Sequence, residues 1–191
     1  MLTFEPDTHT YRWNGAKRPS VTQVMRAGGL IDERWFNDAA AWRGSVVHKC
    51  CELDDKGTLN EASVDPMAAG YLEGWRKWKR NFGWSAIAVE KFKYHPHLQY
   101  CGTPDRVMRG NDGYLCIVDI KTGVPSKAAA IQTAGYCGFL DIPSYVKRYA
   151  IQLMPEGDYV VTEYPTSSFS IDWAAFNSCL NINNWRRING Y

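Results

Sequence analysis

The sequence predicts a layered α/β domain, in which helices flank a sheet. Two long segments before residue 83 have helical apolar spacing, and three strand-like runs follow between 84 and 121. A helix and two further strands come next, which gives the order helix, three strands, helix, strand that is typical of this class. The 191 residues are 45% hydrophobic and 22% charged, as in a globular chain with its own core. We expect one domain over 1–191 with a core at about 35–165, an N-terminal hairpin and a C-terminal helix.

The elements before the predicted sheet follow from turn and helix signals. Residues 2–13 lead into Asn14-Gly15, a hairpin turn, and "PSVTQVM" begins a short helix that Gly28-Gly29 closes. A helix is predicted over about 35–54, with an apolar stripe of Trp42, Val46, Cys50 and Leu53. A second is predicted over 66–82, with Leu72, Trp75 and Phe82 facing inward.

The predicted sheet begins with three strands at about 85–94, 99–108 and 114–121. "KAAAIQTAGYCGFL", after Ser126, is strongly helical. Strands at 145–153 and 159–164 are joined by the turn at 155–158, and a last helix begins near Ser170.

Composition limits the possible functions. The net charge of +2 excludes a polycationic coat for nucleic acid, although a local basic patch can still bind phosphate. No apolar run approaches the roughly 20 residues that cross a bilayer, and the N-terminus lacks the features of a signal peptide. The six cysteines include no CxxC pair, so we expect free thiols and a cytosolic protein.

The stretch "GTPDRVMRGNDGYLCIVDIKTG" (102–123) contains the most informative pattern. A three-residue turn at 111–113 makes Gly110 and Tyr114 the closing pair, so the positions of each pair add up to 224. Asp105 and Asp119 are then directly opposite, with Cβ atoms about 4.5–5.5 Å apart. Lys121 shares their face, whereas Cys116, Val118 and Ile120 point the other way.

Two opposed carboxylates beside apolar strands repel each other, and one lysine offsets only part of this cost. A divalent cation resolves it, because oxygen ligands on facing strands suit Mg²⁺ or Mn²⁺. The alternative is a salt-bridged surface hairpin, and a two-residue turn would shift the register by one. Geometry alone leaves both open.

Two helices present further polar pairs. His48 and Glu52 are four residues apart, so they share a helical face that is distinct from the apolar stripe. Gln132 and Tyr136 share a face in the same way on the helix after the third strand. A lone histidine is usually structural, but the histidine–carboxylate pair favours a metal ligand as much as a structural residue.

The predicted helix at 66–82 carries a basic set, which consists of Arg76, Lys77, Lys79 and Arg80. One interpretation is a solvated helix face, and the other is contact with a phosphate backbone. Arg43 and Tyr136 join Arg76, Lys79 and Arg80 as candidate contacts to DNA.

Four motifs occur in an order that resembles the PD-(D/E)XK nuclease superfamily. "RGSVVHKCCE" is similar to the histidine-plus-acid helix of its RecB-like branch, "GTPDRV" and "VDIKTG" to its metal-binding strands, and "QTAGY" to its Q-x-x-x-Y helix. The opening "RPSVTQVM" resembles phage-encoded exonucleases of that branch. The likeness covers about 9–165 and implies a restriction-endonuclease-like core, a mixed central sheet flanked by helices in the order αβββαβ.

The resemblance also implies roles for individual residues. His48, Asp105, Asp119 and the backbone carbonyl of Ile120 would bind metal, and Lys121 would orient the attacking water and stabilise developing charge. Gln132 and Tyr136 would support the site and touch the DNA backbone. Glu90 and Glu52 are secondary candidates. The cofactor implied is Mg²⁺ or Mn²⁺, with two ions, and the late cysteines of the branch's iron–sulfur members are missing except for Cys179, so no cluster is expected.

The function implied is metal-dependent hydrolysis of DNA phosphodiester bonds, by an exonuclease acting on ends in recombination, replication or repair. Alternatives are a structure-selective endonuclease on the same fold and a catalytically silent DNA-binding module. An intact Asp105, Asp119 and Lys121 set argues against the silent module. Any unwinding or recombination partner would be a separate protein, and a phage-encoded enzyme would act in the cytoplasm of a bacterial host.

Overall fold

The computed structural model describes residues 1–6, 8–31 and 37–190. Within these residues there are five α-helices, three short 3₁₀-helices and ten strands. The α-helices are α1 (Val21–Ala27), α2 (Asp38–Asp55), α3 (Pro66–Phe82), α4 (Ala129–Cys137) and α5 (Phe169–Asn189). The strands are β1 (Leu2–Glu5), β2 (Thr10–Trp13), β3 (Ala16–Arg18), β4 (Ser85–Val89), β5 (Lys93–Tyr94), β6 (Cys101–Gly102), β7 (Arg106–Arg109), β8 (Leu115–Lys121), β9 (Lys147–Leu153) and β10 (Tyr159–Tyr164).

The central sheet is mixed, as predicted, and has five strands in the order β10-β9-β8-β7-β4. β8 and β9 are parallel, whereas the other neighbouring pairs are antiparallel. Helix α4 makes the crossover that two parallel strands require. The finer core order αβββαβ stays a prediction.

Helices cover both faces of this sheet. On one face, α2 and α3 bury Val47, Trp75 and Trp78 against apolar side chains of β8 and β9. On the other face, α1, α4 and α5 pack around Ile117 and Phe176. Burial of apolar surface on both faces stabilises the sheet by roughly 25 cal/mol per Å² removed from water.

The predicted ends of α1 and α3 are confirmed. Ser20 caps α1 with a reciprocal capping box to Gln23, and Gly28 ends the helix. Asp65 caps α3 ahead of Pro66, and Gly83 ends that helix in the left-handed conformation (φ 64°). These caps explain why local sequence located both helices.

Two of the predicted strands are interrupted. The strand expected over 85–94 ends at Val89, because Glu90 adopts a left-handed conformation (φ 47°) that breaks the extended chain. The strand expected over 99–108 divides into β6 and β7 around Pro104, which has no N–H for a ladder. The short β5 and β6 pair with each other instead.

The apolar stripe predicted for α2 is offset from the side that the helix buries. Val47, Cys50 and Cys51 are buried, whereas Trp42 is 55% exposed. Neighbouring positions on a helix differ by about 100°, so packing against α3 and the sheet selects between adjacent stripes. The predicted start of this helix, near residue 35, lies outside the described residues.

The N-terminal hairpin has the predicted turn. Asn14 (φ 49°) and Gly15 (φ 81°) both have the positive φ of a type I′ turn, and Trp13 pairs with Ala16. All six cysteines are buried free thiols. None of the helices in the described ranges has the length and apolar character needed to cross a membrane.

Candidate active site

The β7–β8 hairpin has the register that its turn predicts. Arg106 pairs with Val118 and Arg109 with Leu115, so the paired positions add up to 224. Gly113 has a φ of 83°, and the N–H of Gly110 donates to the carbonyl of Tyr114 at 3.0 Å. The length of this turn therefore determines which β8 residue lies opposite Asp105.

Asp105 lies one residue before β7, because Pro104 delays the start of the strand. Its Oδ2 accepts a hydrogen bond from the backbone N–H of Ile120 at 2.7 Å. This bond anchors the carboxylate across the hairpin and leaves Oδ1 for other partners. The side chain is buried, at 8% exposure.

The two faces of β8 separate apolar from charged residues, as predicted. Cys116, Val118 and Ile120 belong to the core beneath α2 and α3. Asp119 and Lys121, at alternate positions, form an ion pair of 2.7 Å on the other face. Asp119 is only 1% exposed, so its carboxylate is held out of bulk water, whereas the side chain of Lys121 is 28% exposed.

A three-residue group of potential metal ligands lies beside the hairpin, consisting of His48, Glu90 and Asp105. One ligand atom from each lies within 4.8 Å of the others. His48 Nδ1 is 3.6 Å from Asp105 Oδ1 and 3.9 Å from Glu90 Oε1. His48 lies on helix α2. Glu90 has a left-handed backbone conformation, and its N–H donates to the carbonyl of Asp105 at 3.0 Å.

The other nitrogen of His48 contacts β8. Its Nε2 is 3.0 Å from the carbonyl oxygen of Ile120. Burial lowers the pKa of His48, but the charge of Asp105 and the hydrogen bond to Glu90 outweigh burial and raise it to about 9. The negative charge of the two carboxylates, which favours a proton on His48, would equally favour a metal cation bound in place of that proton.

A polar chain continues from the hairpin into α4. Lys121 Nζ donates to Gln132 Oε1 at 3.2 Å, and Gln132 Nε2 donates to Tyr136 Oη at 3.2 Å. The structure thus joins Asp119, Lys121, Gln132 and Tyr136 in one contiguous set. Gln132 fixes the position of the lysine ammonium, and the Tyr136 hydroxyl fixes the amide of Gln132.

Burial and neighbouring charges both shift the pKa values of the groups in this polar chain. It raises the pKa of Asp119, and the charge of Lys121 offsets this only in part. Burial lowers the pKa of Lys121, but the charges of Asp119 and Asp105 outweigh it and raise that pKa. Burial also raises the pKa of Tyr136 well above its ordinary value, so this phenol stays a neutral hydroxyl. A fixed positive charge at Lys121 follows.

The residues present fit a hard divalent cation. Two carboxylates and one imidazole supply the oxygen and nitrogen donors that Mg²⁺ or Mn²⁺ accepts, and the Ile120 carbonyl borders the same space. Asp119 lies beside this three-residue group and faces Lys121. The role of Asp119 as a metal ligand stays a prediction.

A pocket of about 230 Å³ opens onto these residues. Its lining includes Glu90, Asp105 and Tyr136, together with Ser20 and Thr103. The pocket gives a substrate direct access to two members of the three-residue group, Glu90 and Asp105. Sequence reasoning missed Thr103, although it precedes the Pro104-Asp105 pair, and it also missed Tyr11, whose hydroxyl lies 2.7 Å from that of Thr103.

Glu52 is not brought into the site. Its carboxylate pairs with Lys49 at 2.9 Å and with Lys56. Although His48 and Glu52 are four residues apart, the partners of Glu52 lie along its own helix. The described contacts of Glu52 therefore add no support to its predicted secondary role in the site.

The basic set of α3 is neutralised within the protein. Arg76 pairs with Asp54 at 2.6 Å and with Glu61, and Lys79 pairs with Asp54 and Asp55. The remaining pairs are Lys77 with Asp158 and Arg80 with Glu73. This pairing favours the interpretation as a structural, solvated face over contact with phosphate. Arg43 differs, because its Nε is buried without a hydrogen-bond partner among the described residues.

Arg106 is a supporting residue that sequence reasoning missed. Its fully buried guanidinium donates to Asp55 Oδ2 at 2.5 Å, to Glu90 Oε1 at 3.1 Å and to the carbonyl of Asp105 at 2.6 Å. It also lies over the ring of Trp75, 5.3 Å from the centroid. An arginine directly after Asp105, inside a strand that is otherwise buried, was the available signal.

Comparison with known proteins finds similar solved structures only. No family model and no curated protein match the chain. The chain is similar to LHK-Exo in complex with dAMP, at 14% identity and a TM-score of 0.36, with 91% of this chain and 93% of that chain covered. It is also similar to an alkaline exonuclease (LHK-Exo) from Laribacter hongkongensis, at 13% identity, a TM-score of 0.33 and the same coverage. Because both TM-scores lie below 0.5, the function proposed below rests on the geometry of the site.

Proposed function

We propose that this chain is a metal-dependent nuclease that hydrolyses phosphodiester bonds of DNA, as an exonuclease acting on ends. The observation that carries the proposal is the hairpin register, which pairs Arg106 with Val118 and so brings Asp105 beside the ion pair of Asp119 and Lys121. His48 and Glu90 complete a group of ligands with Asp105, and Glu90 and Asp105 line a pocket. An ordinary surface salt bridge does not need this burial or these additional carboxylates.

The residues divide the chemical work between them. Bound cations would supply a nucleophilic water near neutral pH and stabilise the leaving oxygen. Asp105, His48 and Glu90 would hold a cation, with the Ile120 carbonyl and Asp119 as further candidate ligands. Lys121, oriented by Gln132, holds positive charge where negative charge develops on the phosphate. The buried hydroxyl of Tyr136 keeps Gln132 in place.

The proposal includes several finer statements. The chain would be one PD-(D/E)XK domain of the RecB-like branch, with an αβββαβ core and two Mg²⁺ or Mn²⁺ ions. It would act in the cytoplasm, and a phage-encoded enzyme would do so within its bacterial host. Any partner in recombination or replication would be a separate protein. The motif order and the mixed sheet with helices on both faces support this assignment.

The test uses purified protein with linear and circular duplex DNA, with and without Mg²⁺ or Mn²⁺. Loss of linear DNA alone indicates an exonuclease, whereas nicking of the circle indicates the endonuclease alternative. Lys121→Ala should lower the rate by about 10²–10³-fold, because a preorganised charge is lost. Asp119→Ala should lower it at least as much.

Asp141→Ala is the matched control, since it removes an exposed carboxylate outside the site. It should keep the wild-type rate. Full metal-dependent activity in both Asp119→Ala and Lys121→Ala would show that the site is assigned wrongly. A wild-type protein that binds DNA but cuts neither substrate with either metal would indicate the silent module.

A further inference from the structure

A second positively charged surface lies in a cleft between β3, the end of α1 and the end of α5. We call it the basic cleft, and it is lined by Lys17, Arg18, Ala27, Asn183, Arg186 and Arg187. Its volume is about 370 Å³. Four cationic side chains around one concave surface create a potential that attracts anions.

The fold holds the walls of the basic cleft close together. A Cβ on Gly28 would lie 2.2 Å from Cys179 Sγ, so glycine permits the end of α1 to approach α5 closely. Arg186 Nη1 donates to the carbonyl of Ala27 at 2.8 Å, which satisfies an acceptor at the C-terminus of α1. Arg186 therefore has a structural bond, whereas Lys17, Arg18 and Arg187 are available to a ligand.

The cations of the basic cleft differ from those of α3. Across the described ranges, no carboxylate forms an ion pair with Lys17, Arg18 or Arg187, and Arg18 Nε is buried without a hydrogen-bond partner. Glu5 accepts a hydrogen bond from Arg12 at 3.1 Å, and its charge also interacts with that of Lys17 without forming an ion pair. Concentrated, unpaired positive charge is costly unless an external anion compensates for it.

The basic cleft adjoins the candidate active site through continuous chain. Lys17 and Arg18 line the cleft, whereas Ser20 and Thr22, immediately after Pro19, line the pocket that contains Asp105. Consecutive residues extend at most about 3.6 Å each, so the backbones of Arg18 and Ser20 are within about 7 Å. The carbonyl of Pro19 also accepts from the N–H of Cys101 at 2.8 Å, which holds this segment in place.

We propose that the basic cleft binds the phosphodiester backbone of the DNA whose end occupies the active-site pocket. This inference rests on the proposed function and adds a place where the substrate is held outside the reacting centre. Arginine forks and lysine ammonium groups bind phosphate oxygens without reading the bases, so the contact is independent of sequence. It positions the duplex relative to the metal ligands.

The test measures the salt dependence of DNA binding by fluorescence anisotropy. A labelled linear duplex is titrated with protein in EDTA, between 50 and 200 mM salt. The double variant Lys17→Gln/Arg187→Gln removes two exposed cations, and each lost phosphate contact should reduce the slope of log Kd against log salt by about 0.9. The rise in Kd over this fourfold range of salt should then be about twelvefold smaller than in the wild type.

Lys77→Gln/Arg80→Gln is the matched control, because it removes the same charge from an ion-paired helix face. This control should keep the wild-type slope. Hydrolysis of bis(4-nitrophenyl) phosphate, which has a single phosphodiester and no further backbone phosphate for the basic cleft to bind, should proceed at the wild-type rate in the Lys17→Gln/Arg187→Gln protein.

The outcomes separate the two proposals. One outcome is an unchanged slope of log Kd against log salt in Lys17→Gln/Arg187→Gln, together with wild-type DNA hydrolysis that depends on Asp119. This outcome overturns the proposed DNA binding by the basic cleft and leaves the proposed nuclease function standing. An equal loss of slope in the α3 control also overturns the proposed DNA binding by the basic cleft, because net charge would then explain the effect. A wild-type protein that neither binds nor cuts DNA overturns the proposed function and the inference together.

Discussion

Arg106 connects the stability of the fold to the candidate site, so its replacement by methionine is a sharp test. The guanidinium joins Asp55 of α2, Glu90 and the backbone of Asp105. Methionine keeps an apolar chain against Trp75 but removes the charge and all donors. The variant leaves two buried or half-buried carboxylates and one carbonyl without this partner.

The expected loss in the free energy of unfolding depends on the hydrogen bonds that Asp55 keeps in the variant. Breaking a buried ion pair by removing one partner costs roughly 3–5 kcal/mol. Asp55 keeps its hydrogen bonds from Lys79 at 2.6 Å and Trp75 at 2.9 Å, which places the expected cost at the lower end. A loss of about 3 kcal/mol corresponds to a Tm lower by roughly 6–12 °C in a chain of this size.

Urea unfolding and calorimetry in EDTA measure this cost, with Arg109→Met as the control. Arg109 lies on the same strand but is exposed, so its replacement should change the free energy of unfolding by no more than about 0.5 kcal/mol. Arg106→Met should also weaken Mn²⁺ binding, measured by calorimetric titration, because Glu90 loses its anchor. A cost below 1 kcal/mol, or equal costs for both variants, would refute the reasoning.

Two further predictions concern pH and packing. In EDTA, the elevated pKa of His48 should stabilise the fold fully below about pH 6.5, and this contribution should be lost as pH rises to about 9. His48→Gln should flatten this decline in the free energy of unfolding, measured by urea titrations. An unchanged decline would contradict the prediction. Gly70→Ala should lower the free energy of unfolding by about 1–3 kcal/mol, because its Cβ would lie 1.8 Å from the carbonyl oxygen of Pro155. Gly123→Ala is the control and should be nearly neutral, because there is open space around that residue. Equal effects of the two variants in thermal melts would count against this reason.

Local signals were sufficient for much of the fold and for the centre of the candidate site. The three-residue turn ending in Gly113 determined the hairpin register, and side-chain alternation then assigned Asp119 and Lys121 to one face. Pro66 and Gly83 marked the ends of α3. These features depend on neighbouring residues, so a single sequence contains them.

Long-range partners could not be predicted in the same way. The acidic partners of Arg76 and Lys79 come largely from α2, more than twenty positions earlier. The exposure of Trp42 and the left-handed Glu90 likewise depend on how α2 and β4 pack against the sheet. No periodic pattern identifies which carboxylate a lysine will meet across such a distance.

The short turn at 111–113 has a consequence for how the gene can change. It is exposed, and loops of this kind ordinarily tolerate insertions. If one added codon shifts β8 by a position instead of enlarging the loop, Asp119 moves to the opposite face of the sheet. Among otherwise folded insertion mutants of this gene, those in which a codon added at this turn shifts β8 should be catalytically inactive, although the turn contains no catalytic residue.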